Sequence, residues 1–271
     1  MERSRGAAGE ADVAGAAVPG ARTGGEGVYE EGAYAEAVRE ERRDDTADAG
    51  GGPHLPHVPQ LTPIKPRLRG WLHAGMFPAA LVSGVFLTAL ADTAAGRLAC
   101  AVYTLTACML FGISALYHRG DWSPGVNAVL RRLDHANIFL IIAGSYTPLT
   151  ILLLSGNSRN LLLWGVWIAA LFGIAFRVLW VGAPRWLYTP CYIAMGWAAV
   201  FFLPEFLRNG GAVVLALVVA GGLLYSVGGV VYALKRPNPS PRWFGFHEVF
   251  HSLTLAAFAA HYVGISMVAY G

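Results

Sequence analysis

Acids are almost missing from most of this chain. Twelve of its 17 Asp and Glu lie in residues 1–60, which leaves five for the other 211 residues. Charge of either sign makes up only 14% of the whole, against about 25% in a typical soluble protein, so an ordinary soluble domain is excluded. Cysteine is equally scarce. Three of them cannot supply the disulfide framework that staples small secreted folds. Cys100 and Cys108 fall on one expected helix, about 12 Å apart along its axis, whereas a disulfide needs Cα atoms within about 7 Å. Cys191 falls on another helix, and all three are read as small buried thiols. Nowhere is there the apolar–polar alternation of a membrane barrel strand. The opening MERSRGAAGEADVAGAAVPG lacks the apolar run of a secretory signal, so none is expected. Large apolar residues are rare throughout the first 60, so no core can form there. Residues 1–66 are expected to be a disordered, acidic, Gly- and Ala-rich cytoplasmic tail, with His54 and His57 of PHLPHVP in a solvated linker.

What the rest of the chain holds in quantity is long apolar sequence. Hydrophobic residues are 55% of the total, and the mean hydropathy is +0.47. From Trp71 onward, apolar windows recur at about the 20-residue length that crosses a ~30 Å hydrocarbon core. Seven are placed, at about 71–92, 97–118, 133–154, 160–181, 186–207, 211–234 and 245–269, with breaks at RGDWSPGVNAVLRR, SGNSRN, GAPR, RNGG and KRPNPSPR. Hydrocarbon admits only helices and closed barrels, because it cannot bond free backbone groups. The expected fold of residues 67–271 is therefore an all-α bundle of seven transmembrane helices. Pro78, Pro148, Pro190 and Pro204 should kink these helices or mark their ends. Gly221, Gly222, Gly228 and Gly229, repeating at seven-residue spacing, should allow close helix packing.

The few basic residues set the direction of the chain. With the N-terminus inside, the inner connections hold Lys65, Arg67, Arg69, Arg119, Arg131, Arg132, Arg177, Arg185, Lys235, Arg236 and Arg242, and the outer ones only Arg97, Arg159 and Arg208. Cytoplasmic loops carry the excess of Lys and Arg, so the N-terminus is expected in the cytoplasm and the C-terminus outside. Trp71, Trp122, Trp180, Trp186 and Trp243 fall at span ends, where an aromatic belt belongs.

Against this apolar background four ionisable side chains stand out: His118, Asp134, His247 and His251. An ionisable group at mid-membrane costs about 2.5–3.5 kcal/mol on insertion scales, which makes each a functional suspect. The second span runs inward, so His118 lies at its inner end. The third and seventh start inside, so Asp134, His247 and His251 share that level. His247 and His251 are four residues apart on one helix face, a spacing that presents two imidazoles to one zinc ion. His118 would supply a third nitrogen, and three protein ligands plus water is the catalytic zinc pattern. Asp134 can ligate directly or act as general base, although an Asp there also suits a helix N-cap. Ser114, one turn before His118, can orient a ligand or bond an oxyanion.

Other polar residues have plainer readings. His-Glu-Val-Phe-His also matches the His-Glu-x-x-His pattern of zinc metalloproteases, with Glu248 as base; Glu248 can instead pair with an inner-face arginine such as Arg131. His135 turns about 100° away from Asp134 and is read as structural. His73 is read as interfacial, and His261 lies too far along its helix from His251 to share a metal. Arg119 and Tyr117 flank His118 and can meet a lipid headgroup, although snorkelling accounts for Arg119 equally well.

Three stretches together resemble a known family. Ser-Ala-Leu-Tyr-His (114–118), Arg-Leu-Asp-His-Ala-Asn-Ile-Phe (132–139) with Ala-Gly-Ser-Tyr-Thr-Pro (143–148), and His-Glu-Val-Phe-His (247–251) are similar to the hemolysin III family, within the progestin and adiponectin receptor superfamily. The resemblance covers about residues 67–271. It implies seven membrane helices with zinc near the cytoplasmic face, held by His118, His247 and His251, with Asp134 beside the metal water and Ser114 nearby. It also implies the metal-dependent lipid hydrolysis proposed for members of the wider superfamily.

The leading expectation is a zinc-dependent hydrolase of a lipid amide or ester in the cytoplasmic membrane, with membrane lipids as partners and no nucleic acid. The 18 Arg to 2 Lys balance hints at a GC-rich bacterial genome. The alternative is a non-enzymatic sensor or lipid-homeostasis protein whose zinc only ties helices together. A pore, which the family name suggests, is poorly served because no span carries a polar stripe. Substrate and oligomeric state are not legible.

Overall fold

The computed structural model describes residues 66–180 and 182–271, within a unit spanning Ile64–Gly271. The acidic tail, His54, His57 and Lys65 lie outside the described residues. Those described form helices and no β-strand: α1 (Trp71–Leu90), α2 (Ala94–Arg119), α3 (Pro124–Leu153), α4 (Gly156–Leu179), α5 (Arg185–Gly196), a 3₁₀ segment (Ala198–Phe202), α6 (Leu203–Leu234) and α7 (Phe246–Ala269). Six stretches are long and apolar enough to cross a membrane, with Arg185–Leu234 counted as one.

That fifth stretch holds 50 residues, which as a straight rod would run about 75 Å. It is not straight. The 3₁₀ segment interrupts it, and Gly211 (φ 78°, ψ 172°) breaks the helix in a conformation open only to glycine. The two halves then lie against each other in opposite directions. Arg185 Nη1 donates to the Tyr232 carbonyl at 3.3 Å, and Trp197 Nε1 donates to Ser226 Oγ at 2.9 Å.

Local sequence explains several boundaries. Thr93 caps α2 by accepting from the Gly96 amide at 3.0 Å. Ser123 and Pro124 start α3, with serine at the N-cap and proline in the first turn. The third helix was expected from about residue 133, but residues 124–132 are helical too. Asp134 is thus the eleventh residue of α3 and not its N-cap. Pro78, Pro148 and Pro190 lie inside α1, α3 and α5, and Pro204 sits in the first turn of α6.

The core is built by Tyr103, Ala107 and Phe111 of α2, Ile141 and Leu149 of α3, and Phe258 and Ile265 of α7. Large apolar side chains such as Phe86, Leu98, Phe172 and Leu179 point outward instead, as they do on a surface that faces lipid. Cys100 is buried, but Cys191 is exposed, against the expectation that all three thiols are buried.

The glycine repeat of α6 serves two neighbours. A Cβ at Gly221 would overlap the His261 ring of α7, whereas one at Gly222 would only reach Trp197, at 3.9 Å. The His261 ring cannot swing aside freely, because its Nε2–H donates to the Val218 carbonyl at 3.1 Å. Gly221→Ala is therefore expected to destabilise the protein by about 1–3 kcal/mol through overpacking. Gly222→Ala should be neutral or stabilise by about 0.5–1 kcal/mol through the better helix former. Thermal unfolding of the two variants in one detergent checks the contrast.

Hydrogen bonds also sort the two ends of the bundle. At one end the Asp92 amide meets the Ala269 carbonyl, Asn209 Nδ2 donates to the Leu153 carbonyl, and Ser158 donates to Glu205. The opposite end gathers the start of α1, the end of α2, the first half of α3, the end of α4, the start of α5, the end of α6 and the start of α7. His118, Asp134, His247 and His251 lie there.

Candidate metal centre

Two features bring the histidines together. α2 ends at Arg119, so His118 sits in its last turn. α7 starts at Phe246, so His247 and His251 occupy its first two turns. Two rigid helix ends deliver all three rings. Their ligand atoms lie within 4.8 Å of one another, with His118 and His251 buried and His247 half-buried. The His118 and His247 Nε2 atoms are 3.2 Å apart. Two nitrogens bound at 2.0–2.1 Å to one tetrahedral ion stand roughly 3.3 Å apart, so this pair already has the spacing of a shared ion. Among the described residues this is the group placed to hold a metal.

Asp134 approaches from α3. Its Oδ2 is 3.9 Å from His118 Nε2, the same nitrogen that faces His247. The carboxylate therefore addresses the centre and not the back of the imidazole, yet it stands outside the three-nitrogen group. Ser114 is buried one turn before His118 on α2.

Glu248 is turned to other work. It is 1% exposed, and its Oε1 accepts from Arg69 Nε. Its Oε2 accepts from the Gly245 amide at 2.8 Å, capping α7. Both oxygens are engaged, so Glu248 is not placed as a metalloprotease base, and its arginine is Arg69 and not Arg131. The contact joins residues 179 apart in sequence and pins the start of α1 to the start of α7. Backbone bonds from Arg67 to Arg242 and from Leu68 to Trp243 reinforce the same junction.

His135 lies outside the three-histidine group. Its Nδ1–H donates to the Arg131 carbonyl at 2.7 Å, which leaves Nε2 to accept from the Tyr232 hydroxyl at 3.3 Å. Arg119 is exposed, with its guanidinium 3.9 Å from the centroid of the Trp71 ring.

His73 is the residue that sequence reading misplaced. It is not interfacial but 2% exposed. Its ring stacks on His251 at 3.7 Å and 7° and meets Phe111 edge-on at 5.1 Å. Both of its nitrogens are buried without a hydrogen-bond partner. It works here as a flat wall that fixes the His251 plane. Losing an outer support of a metal ligand typically costs 10–100-fold in affinity. His73→Ala is accordingly expected to weaken metal binding about 10-fold by that rule, while His73→Phe, which keeps the stack, retains it. Competition against a chelator of known affinity measures both.

Gly70 makes the close approach possible. It caps α1 at φ 82°, and a Cβ there would stand 2.8 Å from His118 Cβ. Only glycine satisfies both the left-handed backbone and the space.

A family model described as Haemolysin-III related matches residues 61–262. The chain is 34% identical to Hemolysin-3 of Bacillus cereus over 144 residues, covering 53% of this chain and 65% of that one. It is 34% identical to the Hemolysin-3 homolog of Bacillus subtilis (strain 168) over 133 residues, covering 49% and 59%. Both matches span less than two thirds of those relatives. Similarity extends to the human Monocyte to macrophage differentiation factor, at 25% over 199 residues, covering 72% of this chain and 80% of that one.

Proposed function

The chain belongs to the haemolysin-III-related family of multi-pass membrane proteins, and from the site it carries we propose that it is a zinc-dependent hydrolase of lipid amides or esters. The observation that carries this reading is the position of Asp134. A carboxylate 3.9 Å from a candidate ligand nitrogen, yet outside the three-imidazole group, would stand as a base beside an ion held by the three rings, with a fourth position for water.

The donor set supports zinc. Three neutral imidazoles without thiolate or a ring of carboxylates suit a borderline ion in tetrahedral coordination. Seven crossings follow if the two antiparallel halves of Arg185–Leu234 each span the membrane. The centre then lies at the end rich in Arg67, Arg69, Arg119, Arg131, Arg132, Arg177 and Arg185, which the positive-inside rule puts in the cytoplasm of a bacterial cell.

Zinc held there would act as a Lewis acid on the substrate carbonyl and bring water to ionise near pH 7. Asp134 Oδ2 takes the proton released as water attacks. The Ser114 hydroxyl donates to the oxygen that gains charge. The C–N or C–O bond breaks, Asp134 returns the proton to the leaving amine nitrogen or alkoxide, and the acyl part leaves as a carboxylic acid that gives its own proton to water. Lipid enters sideways between helices, and the polar product leaves toward the cytoplasm.

The test is a screen of purified, zinc-loaded protein against lipid amides and esters. The reading expects hydrolysis of at least one class by the wild type and none by Asp134→Asn. Bound zinc with no hydrolysis of any class would leave the metal a structural tie.

A further inference from the structure

Arg177 is the misfit charge of the bundle. It lies near the end of α4 and is 3% exposed. Its Nε and Nη1 are buried without a hydrogen-bond partner. Among the described residues no salt bridge joins it to a carboxylate. What it does meet is the face of the Tyr188 ring, 4.2 Å from the centroid. A cation–π contact offsets only part of the cost of burying a guanidinium. Arginine is a residue suited to planar, two-pronged recognition of phosphate or carboxylate.

The surroundings are basic and aromatic as well. Tyr188 lies 6.2 Å from the His135 ring, and His135 is bonded to Tyr232. Arg185 stands over Tyr232 at 4.5 Å. Arg131 and Arg132 each bury an Nε without a hydrogen-bond partner.

The same seam holds an apolar groove that opens to the outside of the bundle, with Leu161 and Phe201 largely exposed along its rim. About 260 Å³ opens between α4, α5 and the 3₁₀ segment, lined by residues that include Leu162, Gly165, Val166, Ala169, Met195 and Phe202. Ala169 is about 12 Å along α4 from Arg177. Leu162, Val166, Ala170 and Arg177 are the buried stripe of α4, and Tyr188 and Met195 are buried on α5. Groove and guanidinium therefore share the faces of two neighbouring helices.

We propose that this α4–α5 seam binds one anionic lipid per chain, with its acidic headgroup on Arg177 and an acyl chain in the groove. The complementarity of a buried, counter-ion-free cation and an apolar slot selects an amphiphile with a negative head. The site does not require the metal centre to be catalytic.

The full chain is placed in nanodiscs of phosphatidylcholine with added phosphatidylglycerol, and retained lipid is counted by native mass spectrometry. The wild type should keep one phosphatidylglycerol, favoured over phosphatidylcholine by roughly 10-fold or more, as expected for charge-assisted bonds. Arg177→Gln should erase that preference. Gly165→Leu, at a position where an added Cβ meets no atom within 4 Å, should fill the slot and lower retention with Arg177 intact. If Arg177→Gln does not fold, Gly165→Leu decides alone: loss of the lipid supports the site, and unchanged retention overturns it. Equal retention of both lipids by the wild type, no effect of a folded Arg177→Gln, or full displacement by millimolar inorganic phosphate would also overturn it.

Discussion

Replacing His118, His247 or His251 by alanine is expected to release the metal from the purified protein. The three ligand atoms lie within 4.8 Å of one another on two helix ends, so each removes about a third of the protein's grip on the ion. Apparent binding energies of structural zinc reach about 10–16 kcal/mol in small peptides, and losing one of three ligands should weaken affinity on the order of 10³-fold or more by that scale. Elemental analysis after dialysis reads this directly, as about one ion per chain falling to near zero. His261→Ala is the control for general damage. His261 is buried and bonded to the Val218 carbonyl, so its loss should lower thermal stability and leave the metal in place. Metal retained by all three ligand variants would remove the centre from the account.

Asp134→Asn separates chemistry from ligation. Asparagine keeps the size and loses the basicity, and a positioned general base contributes about 10²–10⁴-fold to rate. The expected result is hydrolysis reduced by about that factor with the metal still bound, since Asp134 sits 3.9 Å from His118 Nε2 and outside the three-nitrogen group. A variant that loses its metal as completely as the histidine variants would make Asp134 a fourth direct ligand. The shell would then be closed, and the structural reading of the metal would replace the catalytic one. Stoichiometry and initial rate measured on the same preparation distinguish these outcomes.

The metal group was legible because a membrane turns sequence into depth. Alternating span directions put His118, Asp134, His247 and His251 at one level, and the i, i+4 spacing fixed the His247–His251 pair. His73 was not legible, since nothing in one dimension says that α1 packs its third residue flat on α7. The Arg69–Glu248 bond was hidden by the same fact, because it depends on two remote helix starts meeting. The first turns of α3 were missed for a different reason. Arg131, Arg132 and Gly125 read as a loop, although Ser123-Pro124 is a helix-start signal that could have moved the boundary. Arg177 was counted as one more inner-face charge. Its burial against Tyr188 comes from the seam between two helices and is invisible to a loop count.

X-ray absorption at the zinc edge of the purified wild-type protein tests the central claim most directly. The account predicts one zinc per chain with three imidazole nitrogens at about 2.0–2.1 Å and one further oxygen. A sulfur-containing shell, fewer than three imidazoles around the ion, or protein that takes up no metal at all would contradict it.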